Sequence, residues 1–284
     1  MCRTRSRLFS LIAVSSFMFV GACFDDSRTN IPSDQLPTSQ IFATFQVIED
    51  GGDQVFVEAQ LTRDLPPNQP GGDDVFVRLR GSDQLWFAAG EHFSRAQIEG
   101  NLYDALRDFS DTQAPMQSAQ EIFYTFLGWT INVDGDRYFA RLPRHPDGDY
   151  SVAFLREGYT SAIDSSVVLP AGFSVTAPLL GDNFSRSSDP IQVSWAPAEA
   201  DALVRLEVKS SCLDGGFAIY STVLNHDPGS YELDAGVLES DSLSGYCTST
   251  LNVIRSRMGS FDPAFTGGHV AGHQIRSVSV STTD

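Results

Sequence analysis

The chain has 284 residues, with 19 Lys and Arg against 36 Asp and Glu, a formal net charge of −17, and Lys209 as its single lysine. So acidic a surface repels phosphate backbones and anionic headgroups, which excludes nucleic acid as a partner and removes charge as a means of membrane binding. The length suits one large or two ordinary domains, each able to bury a hydrophobic core.

Arg3, Arg5 and Arg7 precede an apolar run over 8–20 that is broken only by serines. A transmembrane helix needs about 20 apolar residues, so this run is short for one and has the flanks of an export segment. It ends in Val20-Gly21-Ala22-Cys23, small residues leading into a cysteine. These residues resemble the signal of bacterial lipoproteins. The resemblance implies a signal peptide over 1–22, removed before Cys23, with a diacylglyceryl thioether and an N-acyl chain such as palmitate on Cys23. Phe24, where an inner-membrane lipoprotein of this kind carries aspartate, implies the outer membrane, on its periplasmic or cell-surface face. An ordinary export signal, with Cys23 incidental, is the alternative. Two acyl chains anchor stably, because each buried methylene adds about 0.8 kcal/mol.

Residues 24–40 are polar, contain Pro32 and Pro37 and show no periodicity. With Cys23 they predict a flexible tether over 23–40.

From 41 to 170 the pattern predicts an N-terminal all-β sandwich domain. Phe42, Phe45 and Val47 start one run, 49–53 turns it, and 55–59 returns. The residues at 75–79 and 85–87 alternate on either side of Gly81-Ser82. Asp134-Gly135 and Asp147-Gly148, flanked by β-formers, are the strongest hairpin signals. Ile98, Leu102, Ala105, Leu106 and Phe109 fall at helical spacing and predict a short helical insertion.

From 171 to 284 about seven short strands follow one another. Ile191-Gln192-Val193-Ser194-Trp195, ending in Trp195-Ala196-Pro197, resembles the B strand of fibronectin type III and related immunoglobulin-like domains. The resemblance implies a C strand ending at Cys212 and an F strand opening at Cys247. Those strands are antiparallel neighbours in such a sandwich, which implies a Cys212–Cys247 disulfide, as suits an exported chain. Two buried free thiols are the alternative. The resemblance is architectural and assigns no function.

Acid-rich turns are the most tempting chemistry. Asn132-x-Asp134-Gly135-Asp136 is a fragment of a calcium loop, and Ca²⁺ takes six to eight oxygens. The downstream bidentate Glu is absent, and Asp-Gly is what a tight hairpin demands, so plain turns are the simpler expectation. His269-x-x-x-His273 has metal-ligand spacing only on a helix, and the glycines around it predict a loop instead. Trp86 and Trp129 sit in alternating strands and are expected in the core. A solvent-facing indole at either position would make a glycan or peptide platform.

No G-x-S-x-G elbow, Walker loop, dinucleotide fingerprint or H-E-x-x-H occurs. The sequence therefore predicts a lipid-anchored, non-catalytic binding or structural module of the envelope, without a cofactor. Its partners would be the membrane, through covalent lipid, and an envelope protein or glycan. An exported hydrolase with a dispersed active site and a calcium-dependent adhesion module are the alternatives.

Overall fold

The computed structural model describes residues 30–64, 75–90, 113–115, 117–119, 123–126, 129–132 and 137–284, and for the strands between 113 and 132 it describes the backbone. The described residues are nearly all β. In the first part of the chain the strands are β1 (Asn30–Pro32), β2 (Ile41–Glu49), β3 (Gln54–Arg63), β4 (Phe76–Arg78), β5 (Gln84–Ala89), β6 (Gln113–Pro115), β7 (Gln117–Ala119), β8 (Phe123–Phe126), β9 (Trp129–Asn132), β10 (Arg137–Pro143), β11 (Asp149–Leu155) and β12 (Ala162–Val168). The second part adds β13 (Ser174–Ala177), β14 (Asn183–Ser185), β15 (Ile191–Ala196), β16 (Leu203–Cys212), β17 (Phe217–Leu224), β18 (Ser230–Leu233), β19 (Cys247–Met258) and β20 (Gly267–Thr283). The helix expected over residues 98–109 lies outside the described residues.

One mixed sheet runs through the molecule in the order β1-β4-β3-β2-β20-β19-β16-β17, with β10 also on β3 and β14 on β20. Its first half faces a four-stranded sheet, β12-β11-β5-β6. Between them lies a core of Phe45, Val47, Val57 and Ala59 from one side and Phe87, Tyr150, Val152 and Phe154 from the other. Strict alternation in β2 puts Ile41, Ala43, Phe45 and Val47 inside. Its second half faces a three-stranded sheet, β13-β15-β18. There Val193 and Trp195 meet Val204, Leu206, Leu251 and Val253 in a second core.

β20 is 17 residues long because it serves both cores. Its first half lies parallel to β2, pairing Phe42 with Gly267 through Glu49 with Gln274. Val270 belongs to the first core and Val280 to the second. Phe261 and Phe265, just before β20, also pack in the first core, against Phe45 at 6.1 and 5.9 Å between ring centroids. The sequence therefore crosses position 170 and later returns, so the expected boundary there does not separate the residues of one core from those of the other. Gly268 makes this return possible: at φ 145°, a Cβ there would stand 1.9 Å from the Ala43 carbonyl oxygen.

The structure corrects the tether expectation. Residues 30–40 form β1 and two 3₁₀ turns, Ser33–Gln35 and Thr38–Gln40, with Ser33 and Thr38 buried. Polar composition concealed a specific partner. Arg156, itself buried, donates to Asp83 at 3.0 Å, to the Thr38 hydroxyl at 3.0 Å and to the Ser33 carbonyl. Its guanidinium also stacks on Phe154 and Tyr159.

The connection between the cores is clamped in the same manner. Gln274 donates to the Pro170 carbonyl at 2.8 Å, Arg255 to Ala171 at 2.8 Å and Arg276 to Phe173 at 3.1 Å. Arg255 and Arg276 also lie over the Phe173 ring, at 4.4 and 5.4 Å.

Candidate functional site

Of the residues singled out in the sequence, Cys212 and Cys247 are brought together. They face each other at the ends of β16 and β19, as cross-strand partners joined in a disulfide. Trp86 is buried in β5 beside Ala153, Leu155 and Ile163, with its indole N–H on Gln84 at 2.8 Å. That placement gives it no face for a sugar. Trp129 and Asn132 lie on the backbone of β9, while Cys23, Asp134 and Asp136 fall outside the described residues. Among the described residues, no group of three or more His, Cys, Asp or Glu side chains is arranged to hold a metal ion. Among them, too, no helix is long and apolar enough to cross a membrane.

His269 and His273 are not in a loop. Both belong to β20, and their even spacing points both rings to the sheet face turned away from the cores. The register builds two cross-strand rows on this face. Arg137, Gln60, Thr44 and His269 form one; Arg141, Phe56, Ile48, His273 and Ser256 form the other. Arg137 pairs with Glu58, and the Arg141 guanidinium sits 4.3 Å over Phe56. Thr44 Oγ1 and Arg137 Nε are buried without a hydrogen-bond partner.

His273 Nδ1 and Ser256 Oγ are 2.8 Å apart. Burial, with help from Arg205 and His269, pushes the His273 imidazole down to about 4. Burial lowers His269 as well. At neutral pH these rings are neutral hydrogen-bonding groups, and His273 is too weak a base to take a proton from a hydroxyl efficiently.

The second distinctive surface is β17, which ends the large sheet among the described residues. Its sequence, FAIYSTVL, has no charge and no proline. Ile219 is 55% exposed and Val223 64% exposed, on the same face. The Cys212 N–H donates to the Gly216 carbonyl at 2.9 Å, and the register continues with Ser211 opposite Phe217. Bonding alternates along an antiparallel ladder. Ala218, Tyr220, Thr222 and Leu224 therefore bond β16, and the peptide groups of Ile219, Ser221 and Val223 point off the sheet. Ser242 Oγ donates to the Phe217 carbonyl at 2.9 Å and closes the first position of this edge.

A cleft of about 310 Å³ lies at the far end, lined by Arg186, Glu239, Asp241 and Asp284 among others. Its one cation is engaged: Arg186 donates to the Gly245 carbonyl at 3.1 Å and pairs with Asp284.

The strand β17 was legible as a strand, but nothing local marks a strand as the last of its sheet. The even, four-residue separation that puts His269 and His273 on one face of a strand was present in the sequence, masked by the glycines at 267, 268 and 272.

No family model matches the chain, and no curated protein matches it. Among solved structures, the calcium binding domain CBD12 of CALX1.1 aligns over 84% of this chain and 99% of that chain, at 9% identity and a TM-score of 0.20. A likeness at that level carries no argument about fold or ligand.

Proposed function

We propose that this chain is an envelope lipoprotein, held at the outer membrane by acyl chains on Cys23 and acting as a non-catalytic binding or structural module. The carrying observation is the run of arginines, apolar residues and Val20-Gly21-Ala22-Cys23. The fastening of residues 30–40 by Arg156 adds a geometric consequence. Asn30, the first described residue, stands seven positions after Cys23, and seven residues reach at most about 25 Å when fully extended. The body is thus held close to the bilayer surface, where an acidic exterior keeps it from lying flat on anionic headgroups.

In this reading the two cores are two β-sandwiches, and the second is of the fibronectin type III kind. The pairing of β13, β15 and β18 on one side and β17, β16, β19 and β20 on the other supports that type. The position of Trp195 in the core supports it too. The ligand class that the face around His269 and His273 suits is polar and hydrogen-bonding, a glycan or a polar protein surface.

The test is fractionation of cells expressing the full chain or its Cys23→Ser variant. The parent chain should sediment with outer membranes and take up labelled palmitate. The variant should lose the label and leave the membrane fraction. Equal partitioning of the two would overturn the proposal.

A further inference from the structure

We infer that the Cys212–Cys247 disulfide is polarised for thiol–disulfide exchange: an incoming thiolate attacks Cys212, and Cys247 leaves as a thiolate held by Arg186. The inference rests on the surroundings of the two sulfurs and is independent of the lipid anchor.

The two cysteines are cross-strand partners, yet their sulfurs meet different chemistry. Cys247 is fully buried, and the Arg186 guanidinium donates to its Sγ at 3.1 Å. Cys212 shares an apolar cluster with Leu243 and Ala218, and its Sγ has no hydrogen-bond partner among the described residues.

Arg186 is fixed at this post. Its side chain is 2% exposed, and its Nη1 also donates to the Gly245 carbonyl at 3.1 Å and to Thr282 Oγ1 at 3.4 Å. Thr282 is the partner of Cys247 on β20, so the guanidinium bridges a cross-strand pair. A disulfide sulfur is a weak acceptor and compensates a buried cation poorly until it carries charge itself. The carboxylate paired with Arg186, that of Asp284, is 69% exposed and solvated, so it matches the cation from the water side. Asp214, Glu239 and Asp241, the other acids at this end, are exposed as well.

A neighbouring arginine lowers a thiol's pKa, and the thiol of lower pKa leaves faster. This selects Cys247 as the leaving sulfur. Access selects the same direction. Cys212 keeps 6% of its surface against none for Cys247, and the turn after it holds Gly215, which borders open space.

The reagent is a small thiol or dithiol. Its thiolate forms a bond to Cys212 Sγ, the Cys212–Cys247 bond breaks, and the electron pair stays on Cys247 Sγ beside the Arg186 cation. With a dithiol, the second thiol then displaces Cys212 and passes its proton to it. The reagent departs as a disulfide, oxidised by two electrons, and the protein keeps one thiol and one thiolate.

The test uses the full chain with Cys2→Ser and Cys23→Ser, so that Cys212 and Cys247 are its only cysteines. Brief exposure to glutathione, an acid quench and alkylation of the unfolded chain fix the mixed disulfide for peptide mass spectrometry. Glutathione should sit on Cys212 in at least about 10-fold excess over Cys247. A second measurement needs no exchange. With Cys212→Ala added, the ultraviolet absorbance of the thiolate follows Cys247 alone, which should titrate below the range of a free cysteine. Arg186→Met should cut its thiolate fraction at pH 7 by at least about 10-fold. Asp284→Asn, which removes only the solvated carboxylate, should not lower that fraction. Should Arg186→Met unfold, the trapping result decides alone. Glutathione shared equally by the two sulfurs, glutathione mainly on Cys247, or a Cys247 titration indifferent to Arg186→Met would overturn the inference.

Discussion

Arg255 and Asp227 meet with both side chains fully buried, Nη2 to Oδ2 at 2.6 Å. The contact is the centre of the joint between the two cores. Asp227 also accepts the Trp195 indole N–H at 2.7 Å and the Glu199 amide at 2.9 Å. Arg255 in turn holds the Ala171 carbonyl and lies over Phe173. A buried pair of this kind adds little over an apolar replacement, but each partner depends on the other. Asp227→Ala, which strands the guanidinium, is expected to lower the unfolding free energy by about 3–5 kcal/mol in urea titration. Arg255→Met with Asp227→Leu should cost less than Asp227→Ala alone. A loss under 1 kcal/mol for the single variant would show that the pair is solvated, against the burial described above.

The Cys212–Cys247 disulfide closes a loop with a sequence separation of 35. Chain entropy assigns such a loop about 3–4 kcal/mol. Cys212→Ala with Cys247→Ala should lower stability by that amount in the oxidised protein and leave it insensitive to reductant. A parent chain equally insensitive to reductant would argue for free thiols.

His273 predicts a pH dependence of definite sign. Its imidazole sits at about 4 in the folded chain against 6.5 when unfolded. The unfolded state therefore binds the proton first as pH falls. The stabilisation is complete above about pH 6.5, is lost progressively toward pH 4, and amounts to at most about 3 kcal/mol. His269, lowered by burial, acts in the same direction. Stability of His273→Gln measured across this range should fall less steeply than that of the parent. Parallel curves would mean the ring is solvated.

Arg156 binds the segment that composition marked as tether. Arg156→Ala should accelerate amide hydrogen exchange across residues 33–38 while strands β2 and β3 keep their protection. Unchanged exchange there would show that β1 pairing alone holds the segment.

These cases show what a single sequence can carry. Alternation in β2 and β15 announced strands because one face of each packs on a core, and the period of two survives in the residues themselves. The meeting of Cys212 and Cys247 followed from a resemblance whose B-strand residues, 191–197, lie where the structure places β15. The partners of Arg156, Arg255 and Arg276 were invisible. Each reaches a carbonyl or carboxylate distant in sequence, and a polar segment such as 30–40 has the same composition whether or not a remote arginine holds it. The edge position of β17 is likewise a property of sheet order, which no local pattern encodes.

The proposed function rests on acyl chains at the sulfur of Cys23. Mass spectrometry of the amino-terminal peptide from membrane-purified protein tests it most directly. The account predicts a chain starting at Cys23 and carrying a diacylglyceryl thioether and an N-acyl group. An unmodified cysteine, or a terminus elsewhere, would contradict it.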